Sequence, residues 1–295
     1  MNDQLQLSEE MSAGTARLRV DVLGGAPREH VLDDMSFLNY RLADVRIEPA
    51  VSLAEPDIVW RQDGEKSIGY DGRQMTFTGP WPAGPIQKVI VTMLTLRMEA
   101  EGLHPFHASA VRYQGKTVLL VGGESNHGKS MGQIEACRRG ALLISTETTV
   151  IDESGRAVVG SKEPFIKKRT EGTERADKAA PDRGVDKFFG SMPTWEIYSR
   201  PDPVDIVVVP AIDGNFDPSI DAMIPFERQF QTFHSVQNYL LLNELLGAGF
   251  AMPLVDTEEL RKARARFVAR FCERPYYFAR AATPQVLLDL VDKIM

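Results

Sequence analysis

A loop at residues 123–130 restricts this chain to a small set of folds. Its residues fit the pattern G-x-x-x-x-G-K-[ST] in full, from Gly123 to Ser130. The apolar run TVLLV precedes the loop, and a helical pattern, SMGQIEACRRG, follows it. Backbone N–H groups and the helix dipole at a helix N-terminus both favour an anion. The position of the loop therefore predicts a nucleotide phosphate site in an α/β protein.

Each residue type in the loop fits a separate task. Glycines let the backbone wrap closely around phosphates, Lys129 can place its ammonium on the terminal phosphates, and Ser130 can offer its hydroxyl to Mg²⁺. His127 could approach the terminal phosphate, although a surface position beside the loop is the favoured interpretation. The predicted nucleotide-binding residues are Gly123, Ser125, Asn126, His127, Gly128, Lys129, Ser130 and Met131.

Composition excludes some partners. The 295 residues suffice for one large domain or two ordinary ones, and the net charge of -7 argues against general binding to nucleic acid or anionic membranes. The longest apolar runs fall far short of the roughly 20 residues of a membrane helix. Two cysteines without metal-like spacing favour reduced thiols and a cytoplasmic location.

The chain divides into three predicted regions. The polar residues 1–15 predict a disordered tail, 16–85 predict a strand-rich N-terminal region, and 86–295 predict the domain that carries the loop. Within that domain, 161–190 carry mixed charges and few apolar residues, which predicts a mobile loop. Helices are predicted near 226–246, 257–272 and 284–294.

Residues on both sides of the loop carry a family resemblance. His107-Ala-Ser-Ala-Val-Arg lies on the strand before the loop, and Arg139-Gly140 precedes the apolar strand after it. Over roughly residues 104–150 this arrangement resembles the HPr kinase/phosphorylase family, which shares its phosphate loop with phosphoenolpyruvate carboxykinases. The resemblance implies a P-loop core of that type with a mixed sheet, next to the strand-rich N-terminal region and the C-terminal helices.

The resemblance also implies roles for individual residues. His107 matches the family histidine that supports proton transfer, and Glu124 matches the acidic position of the loop. Glu147 matches the second acidic position after the apolar strand, which would hold Mg²⁺ together with Ser130. The implied catalytic residues are His107, Glu124, Lys129 and Glu147, and the implied cofactors are ATP and Mg²⁺.

Three positions depart from the family pattern. Thr146 stands where the family carries the aspartate that serves as base, Asn126 replaces a glycine, and Met131 replaces an acidic residue. These departures argue against a true HPr kinase/phosphorylase. They favour a relative with a different acceptor, or one that has lost catalysis.

The resulting expectation is an ATP-dependent kinase that phosphorylates a hydroxyl of a small molecule, a peptide or a protein. Lys168 and Arg169 could neutralise phosphoryl charge, although a solvated loop is the favoured interpretation for each. An inactive nucleotide-binding regulator and a nucleotide hydrolase switch, which would need Asp213 as its second acidic motif, stay open. The acceptor and the choice between ATP and GTP also stay open. The resembled family assembles into oligomers, so a homo-oligomer is possible.

Overall fold

The computed structural model of this protein describes residues 4–32, 38, 41–51, 54–122, 127–162, 165–168, 186–189, 195–212, 217–240 and 255–295. The chain forms two compact units. Unit 1 combines Met1–His104 with Tyr239–Arg264, and unit 2 combines Pro105–Asn238 with Ala265–Met295. The fold is α/β with mixed sheets, as the sequence predicts. Unit 1 extends past the predicted boundary after residue 85, because the helix Ala83–Ala100 packs against the strand Ala16–Leu23, and it also takes in Tyr239–Arg264.

Unit 1 contains a six-stranded sheet with the order β3-β1-β2-β4-β6-β5. The sheet is mixed, since β1 pairs antiparallel with β2 and β3, whereas β2 pairs parallel with β4. The helix α1 packs against β2. The elements are β1 Leu5–Ala13, β2 Ala16–Leu23, β3 Val45–Pro49, β4 Ile58–Arg61, β5 Ser67–Tyr70, β6 Met75–Thr78 and α1 Ala83–Ala100.

The prediction of a disordered tail over residues 1–15 is wrong. Residues Leu5–Ala13 form strand β1, which pairs with β2 and β3 on its two sides. Met11 and Ala13 are fully buried, and the buried carboxylate of Glu9 accepts a hydrogen bond from the Val31 N–H at 2.9 Å. The acidic residues of this strand suggest solvent exposure, whereas one of them, Glu9, is buried and accepts a backbone hydrogen bond.

Unit 2 is built on an eight-stranded sheet whose main order is β11-β10-β7-β8-β14-β16-β15, with β9 paired to β7. Strand β8 pairs antiparallel with β7 and parallel with β14. Two of its elements, β7 and α4, continue into unit 1. The elements are β7 Leu103–Tyr113, β8 Lys116–Val121, α2 Lys129–Arg138, β9 Leu142–Ser145, β10 Thr148–Asp152, β11 Arg156–Gly160, β12 Phe165–Lys168, β13 Asp186–Phe189, β14 Asp202–Ile212, β15 Ser219–Ala222, α3 Pro225–Gln237, α4 Glu258–Phe271, β16 Tyr276–Ala281 and α5 Pro284–Asp292.

Local sequence explains the two hairpins that flank the loop. Gln114 and Gly115 join β7 to β8, and both have positive φ (49° and 81°), as a two-residue hairpin turn requires. Gly155, with φ 81°, lies in the turn between β10 and β11. In both places the sequence has a glycine between two strand patterns, Gln114-Gly115 and Glu153-Ser154-Gly155, which predicts a hairpin turn. The hairpins bring strand ends from separate parts of the chain to the loop.

The C-terminal helices are confirmed in part. Helix α3 ends at Gln237, residues 238–240 are not helical, and the remainder of the predicted helix at 226–246 lies outside the described residues. Helix α5 begins as predicted, because Thr283 caps it by accepting a hydrogen bond from the Val286 N–H, and Pro284 is its first residue. Of the predicted mobile segment 161–190, the described part includes the antiparallel strands β12 and β13, and most of the remainder lies outside the described residues.

No helix within the described residues combines the length and the apolar content that a membrane span requires.

Candidate functional site

In the chain the loop lies between the end of β8 and the start of α2, and residues 127–130 of it are described. Strand β8 ends at Val121, and α2 begins at Lys129 with Gly128 as its N-cap. Gly128 has φ 101°, and a Cβ atom there would lie 2.7 Å from the Ile212 side chain. Only glycine fits both the left-handed backbone and this close approach. Gly128 therefore sets the path by which the chain enters the helix.

Lys129 extends back toward the start of the loop. Its Nζ donates a hydrogen bond of 2.8 Å to the carbonyl oxygen of Gly122, the residue that follows β8. The side chain is largely buried. This arrangement holds an ammonium group between the strand end and the helix N-terminus, where a phosphate ligand would also gain from the helix dipole.

Ser130 and Glu147 come together although they lie on different elements. Ser130 is the second residue of α2, and Glu147 lies in the connection between β9 and β10. The Ser130 hydroxyl donates to Glu147 Oε1 at 3.3 Å. Two oxygens that occupy neighbouring positions around one Mg²⁺ lie about 3.0 Å apart, because each metal–oxygen distance is about 2.1 Å. The pair predicted to hold Mg²⁺ therefore fits that ion.

A metal held here would draw its other ligands from water or phosphate. Magnesium usually takes only one or two protein carboxylates and completes its shell in that way. Within the described ranges, no group of three or more His, Cys, Asp or Glu side chains is placed to hold a metal.

His107 lies on the opposite side of the same carboxylate. Its Nδ1 is 3.9 Å from Glu147 Oε2, and its ring is largely buried on β7. The Ser235 hydroxyl of α3 donates a hydrogen bond of 3.1 Å to the His107 carbonyl oxygen. The backbone of His107 is thus held both by the sheet and by α3. The described geometry brings together four of the predicted site residues: His107, Lys129, Ser130 and Glu147.

A hydroxyl that the sequence did not reveal holds the backbone beneath Glu147. Ser161 Oγ accepts hydrogen bonds from the N–H groups of Glu147 (3.2 Å) and Thr148 (2.9 Å). The Thr146 hydroxyl donates to the Ser161 carbonyl oxygen at 3.1 Å. Ser161 therefore fixes the backbone that carries the Glu147 side chain. Only the pairing of β10 with β11 brings Ser161 here, so no short sequence pattern could have found it.

Thr146, the residue at the family's aspartate position, is fully buried in this hydroxyl network. Ser109 on β7 donates a hydrogen bond to the Thr146 carbonyl oxygen. Next to it, the Thr149 hydroxyl donates to the Ala108 carbonyl oxygen at 2.9 Å. These bonds tie the segment that carries Glu147 to the strand that carries His107.

The remaining predicted residues have different outcomes. His127 belongs to the described end of the loop, where its ring lies beside Gly122 and its carbonyl oxygen accepts from the Ile212 N–H at 3.3 Å. Met131 is exposed. Lys168 is described only as part of strand β12. The predicted residues Gly123, Glu124, Ser125, Asn126, Arg169 and Asp213 lie outside the described residues.

No protein-family model matches this chain, and no curated protein matches it in sequence. The family resemblance therefore stays a prediction based on the residues quoted above, and function has to be argued from the site itself.

Proposed function

We propose that this protein is an ATP-dependent kinase that transfers the terminal phosphoryl group to a hydroxyl of a small molecule, a peptide or a protein. The observation that carries the proposal is the position of Glu147. Its carboxylate lies 3.3 Å from the Ser130 hydroxyl and 3.9 Å from the His107 ring, directly beside the loop that carries Lys129. A metal ligand and a proton acceptor therefore share one edge of a predicted phosphate site.

Phosphoryl transfer requires mainly positioning and charge neutralisation, because its transition state is loose. Lys129 and the N–H groups at the start of α2 would bind the phosphates. Ser130 and Glu147 would hold Mg²⁺, which supplies further positive charge when bound. The burial of Lys129 and Glu147 supports this role, since charges act more strongly where water is excluded.

His107 would accept the proton of the acceptor hydroxyl. In that step the acceptor oxygen forms a bond to the terminal phosphorus, the bond from that phosphorus to the ADP oxygen breaks, and the hydroxyl proton moves to the imidazole. Histidine suits this task because its ordinary pKa lies near neutral pH. Glu147, at 3.9 Å from Nδ1, would stabilise the imidazolium that results.

The cytoplasm is the proposed location. The cysteines of the chain, Cys137 and Cys272, are both free thiols, as is usual in a reducing compartment.

One observation favours a second candidate, a regulatory protein that binds nucleotide without transferring phosphate. Thr146 stands at the position where the resembled family carries its catalytic aspartate, and the Thr146 hydroxyl donates to the Ser161 carbonyl. A threonine hydroxyl is not a base near neutral pH. If His107 does not replace that aspartate, nucleotide binding would remain and transfer would be lost.

Thermal unfolding with ATP, GTP or ADP, each with and without Mg²⁺, tests the phosphate site. A nucleotide at about 100 times its dissociation constant adds about 2.7 kcal/mol, which raises Tm by several degrees. We expect a Mg²⁺-dependent shift that Lys129→Ala abolishes. Lys262→Ala is the matched control, because Lys262 is exposed on α4 and pairs with Glu258.

The result decides between the candidates in two steps. If no nucleotide shifts Tm, or if Lys129→Ala shifts like wild type, both the kinase and the regulator are excluded. If nucleotide binds, candidate acceptors are incubated with ATP and Mg²⁺ and weighed. A mass gain of about 80 Da that His107→Ala abolishes supports transfer. Binding without any mass gain favours the regulator.

A further inference from the structure

Helix α3 exposes a stripe of apolar side chains, here called the α3 stripe and defined as Ile224, Phe226, Phe230 and Phe233. Their exposed fractions are 58%, 72%, 56% and 49%. The three phenylalanines are spaced by four and by three residues, which places them on one face of the helix. The rings of Phe226 and Phe230 are stacked, with centroids 6.5 Å apart. The stripe is therefore an ordered surface.

The opposite face of α3 is buried and packs the helix against the rest of unit 2. Thr232, Ser235 and Val236 are fully buried on that face. The Thr232 hydroxyl is 2.6 Å from the Tyr276 hydroxyl, and the Ser235 hydroxyl binds the His107 carbonyl. The phenylalanines of the stripe lie on the other face, and about half or more of each of them is exposed. A function for them is worth testing, because the largest apolar patch of a typical monomer, about 300–600 Å², is often functional.

The area of the stripe matches the apolar part of a dimer interface. A phenylalanine buries about 150–250 Å², so the exposed fractions of the three rings leave roughly 350 Å² available, and Ile224 adds to this. A homodimer of standard size buries about 800 Å² on each partner, of which about 65%, roughly 500 Å², is apolar. The stripe alone supplies most of that amount.

The charge of the stripe favours a second copy of the same chain. The exposed charge within α3 is that of Glu227, whereas Arg228 and His234 are half-buried and the His234 ring stacks on Phe230. A two-fold axis brings each residue near the same surface on the partner, so a self-associating patch must carry little charge. A strongly charged partner would find few groups of opposite sign here.

We propose that two copies of this chain associate through the α3 stripe, with their α3 helices antiparallel about a two-fold axis near Phe230. Phe230 lies four residues after Phe226 and three before Phe233, so it occupies the middle of the stripe and packs against the partner's Phe230. The two Glu227 carboxylates then lie on opposite sides of the axis, about 9 Å apart along the helices, which limits their repulsion. This dimer does not depend on the proposed kinase activity.

The mass of the full chain in solution tests the proposal, measured by sedimentation velocity over roughly a hundredfold range of concentration. Wild type is expected at twice the chain mass at the upper end of that range. Phe230→Glu is expected to raise the dimer dissociation constant at least roughly thirtyfold, because it places two carboxylates at the centre of an apolar contact. Val51→Glu is the matched control, since Val51 is an apolar residue with 94% exposure outside the stripe.

Disulfide trapping tests the predicted geometry separately. Phe230→Cys should form an intermolecular disulfide on mild oxidation, because the two copies of residue 230 face each other across the axis. Phe226→Cys should not, since its copies lie about 12 Å apart along the helices and a disulfide requires Cα atoms within about 7 Å. Far-ultraviolet circular dichroism confirms that each variant is folded.

Three outcomes would contradict the proposal. The first is a wild-type chain that stays monomeric across the concentration range, in which case something other than a second copy covers the stripe. The second is a dimer that Phe230→Glu leaves intact, which would place the interface elsewhere. Equal trapping of Phe226→Cys and Phe230→Cys would contradict the antiparallel arrangement.

Discussion

Each unit of this protein contains a buried glutamate beside a histidine, and the two pairs are held very differently. In unit 1, Glu99 Oε1 lies 3.8 Å from His104 Nδ1, and its carboxylate accepts from Arg264 Nε at 2.8 Å and Nη2 at 2.5 Å. In unit 2, Glu147 Oε2 lies 3.9 Å from His107 Nδ1. The two glutamate–histidine distances are nearly equal. The Glu99 carboxylate additionally accepts a bidentate pair of hydrogen bonds from Arg264.

The difference indicates two uses of a buried carboxylate. The arginine at Glu99 also binds Asp256 at 3.0 Å, so a closed set of charges joins α1 to α4 within unit 1. Such a set fixes structure, and removing one member leaves an uncompensated buried charge. Glu147 instead meets Ser130 at 3.3 Å beside the loop. We expect this longer contact to give way to the proposed Mg²⁺, whereas the hydrogen bonds of Glu99 with Arg264 hold α1 against α4.

The largest expected effect is on stability, from Arg264→Leu. The variant leaves the buried Glu99 and the half-buried Asp256 without their shared cation, which should cost about 3–5 kcal/mol and lower Tm by roughly 10 °C. Thermal unfolding followed by circular dichroism measures the change. Nucleotide-induced shifts in Tm should survive in this variant, because Arg264 lies outside the candidate site.

Arg266→Leu is the control for that experiment. Arg266 is exposed on the same helix two residues later, so the same change of residue type there should alter stability by less than about 0.5 kcal/mol. Equal losses in the two variants would mean that the Glu99–Arg264 contact contributes no special stability, and the contrast between the two glutamates would disappear.

Glu147→Gln should do the opposite of Arg264→Leu: it should weaken Mg²⁺ binding and leave stability nearly unchanged. Glutamine keeps the shape and a hydrogen-bonding oxygen, so the stability without ligand should change by less than about 1 kcal/mol. The negative charge that Mg²⁺ requires is lost, and the Mg²⁺ concentration needed for the ATP-induced Tm shift should rise at least about tenfold. Thermal shifts measured across a Mg²⁺ titration give both numbers.

Glu153→Gln, at the exposed turn between β10 and β11, controls for the loss of one negative charge. An unchanged Mg²⁺ requirement in Glu147→Gln would remove Glu147 from the metal site. A large loss of stability without ligand would instead make Glu147 a structural residue like Glu99.

The sequence was sufficient for features that depend on neighbouring residues. The hairpin at Gln114–Gly115 was predictable because a two-residue turn needs positive φ, and the start of α5 was predictable from Thr283 and Pro284. The loop was recognised for the same reason, since its strand and helix adjoin it in the chain. The pairing of Ser130 with Glu147, 17 residues apart, was implied by the family resemblance and not by any local pattern.

Features that depend on distant pairing could not be predicted. Arg264 and Glu99 are 165 residues apart in sequence, so neither residue carries a local sign of its partner. Ser161 reaches the backbone of Glu147 only through the register of β10 and β11. Strand β1 was misread because its polar residues suggest solvent, while its pairing with β2 and β3 buries every second position toward its end.

The smallest expected effect is on the pH dependence of the unfolding free energy, and it tests Glu99 separately from the other carboxylates. Burial raises the pKa of Glu99, but hydrogen bonds from Arg264 and His104 outweigh burial and leave that pKa below its usual value. A carboxyl with a lowered folded-state pKa stabilises the fold above its unfolded pKa of about 4.3, and it loses that contribution as pH falls further. We therefore expect the stability difference between wild type and Glu99→Gln to shrink below about pH 4.3, by at most about 1.4 kcal/mol per pH unit.

Urea unfolding from pH 7 to about pH 3.5 measures this difference, with Glu48→Gln, a substitution of an exposed glutamate of β3, as the control. Parallel curves for wild type and Glu99→Gln would show that the Glu99 carboxyl has the same pKa in both states. The arginine would then hold Glu99 no more tightly than water does, and the two glutamates would not differ in the way that their contacts indicate.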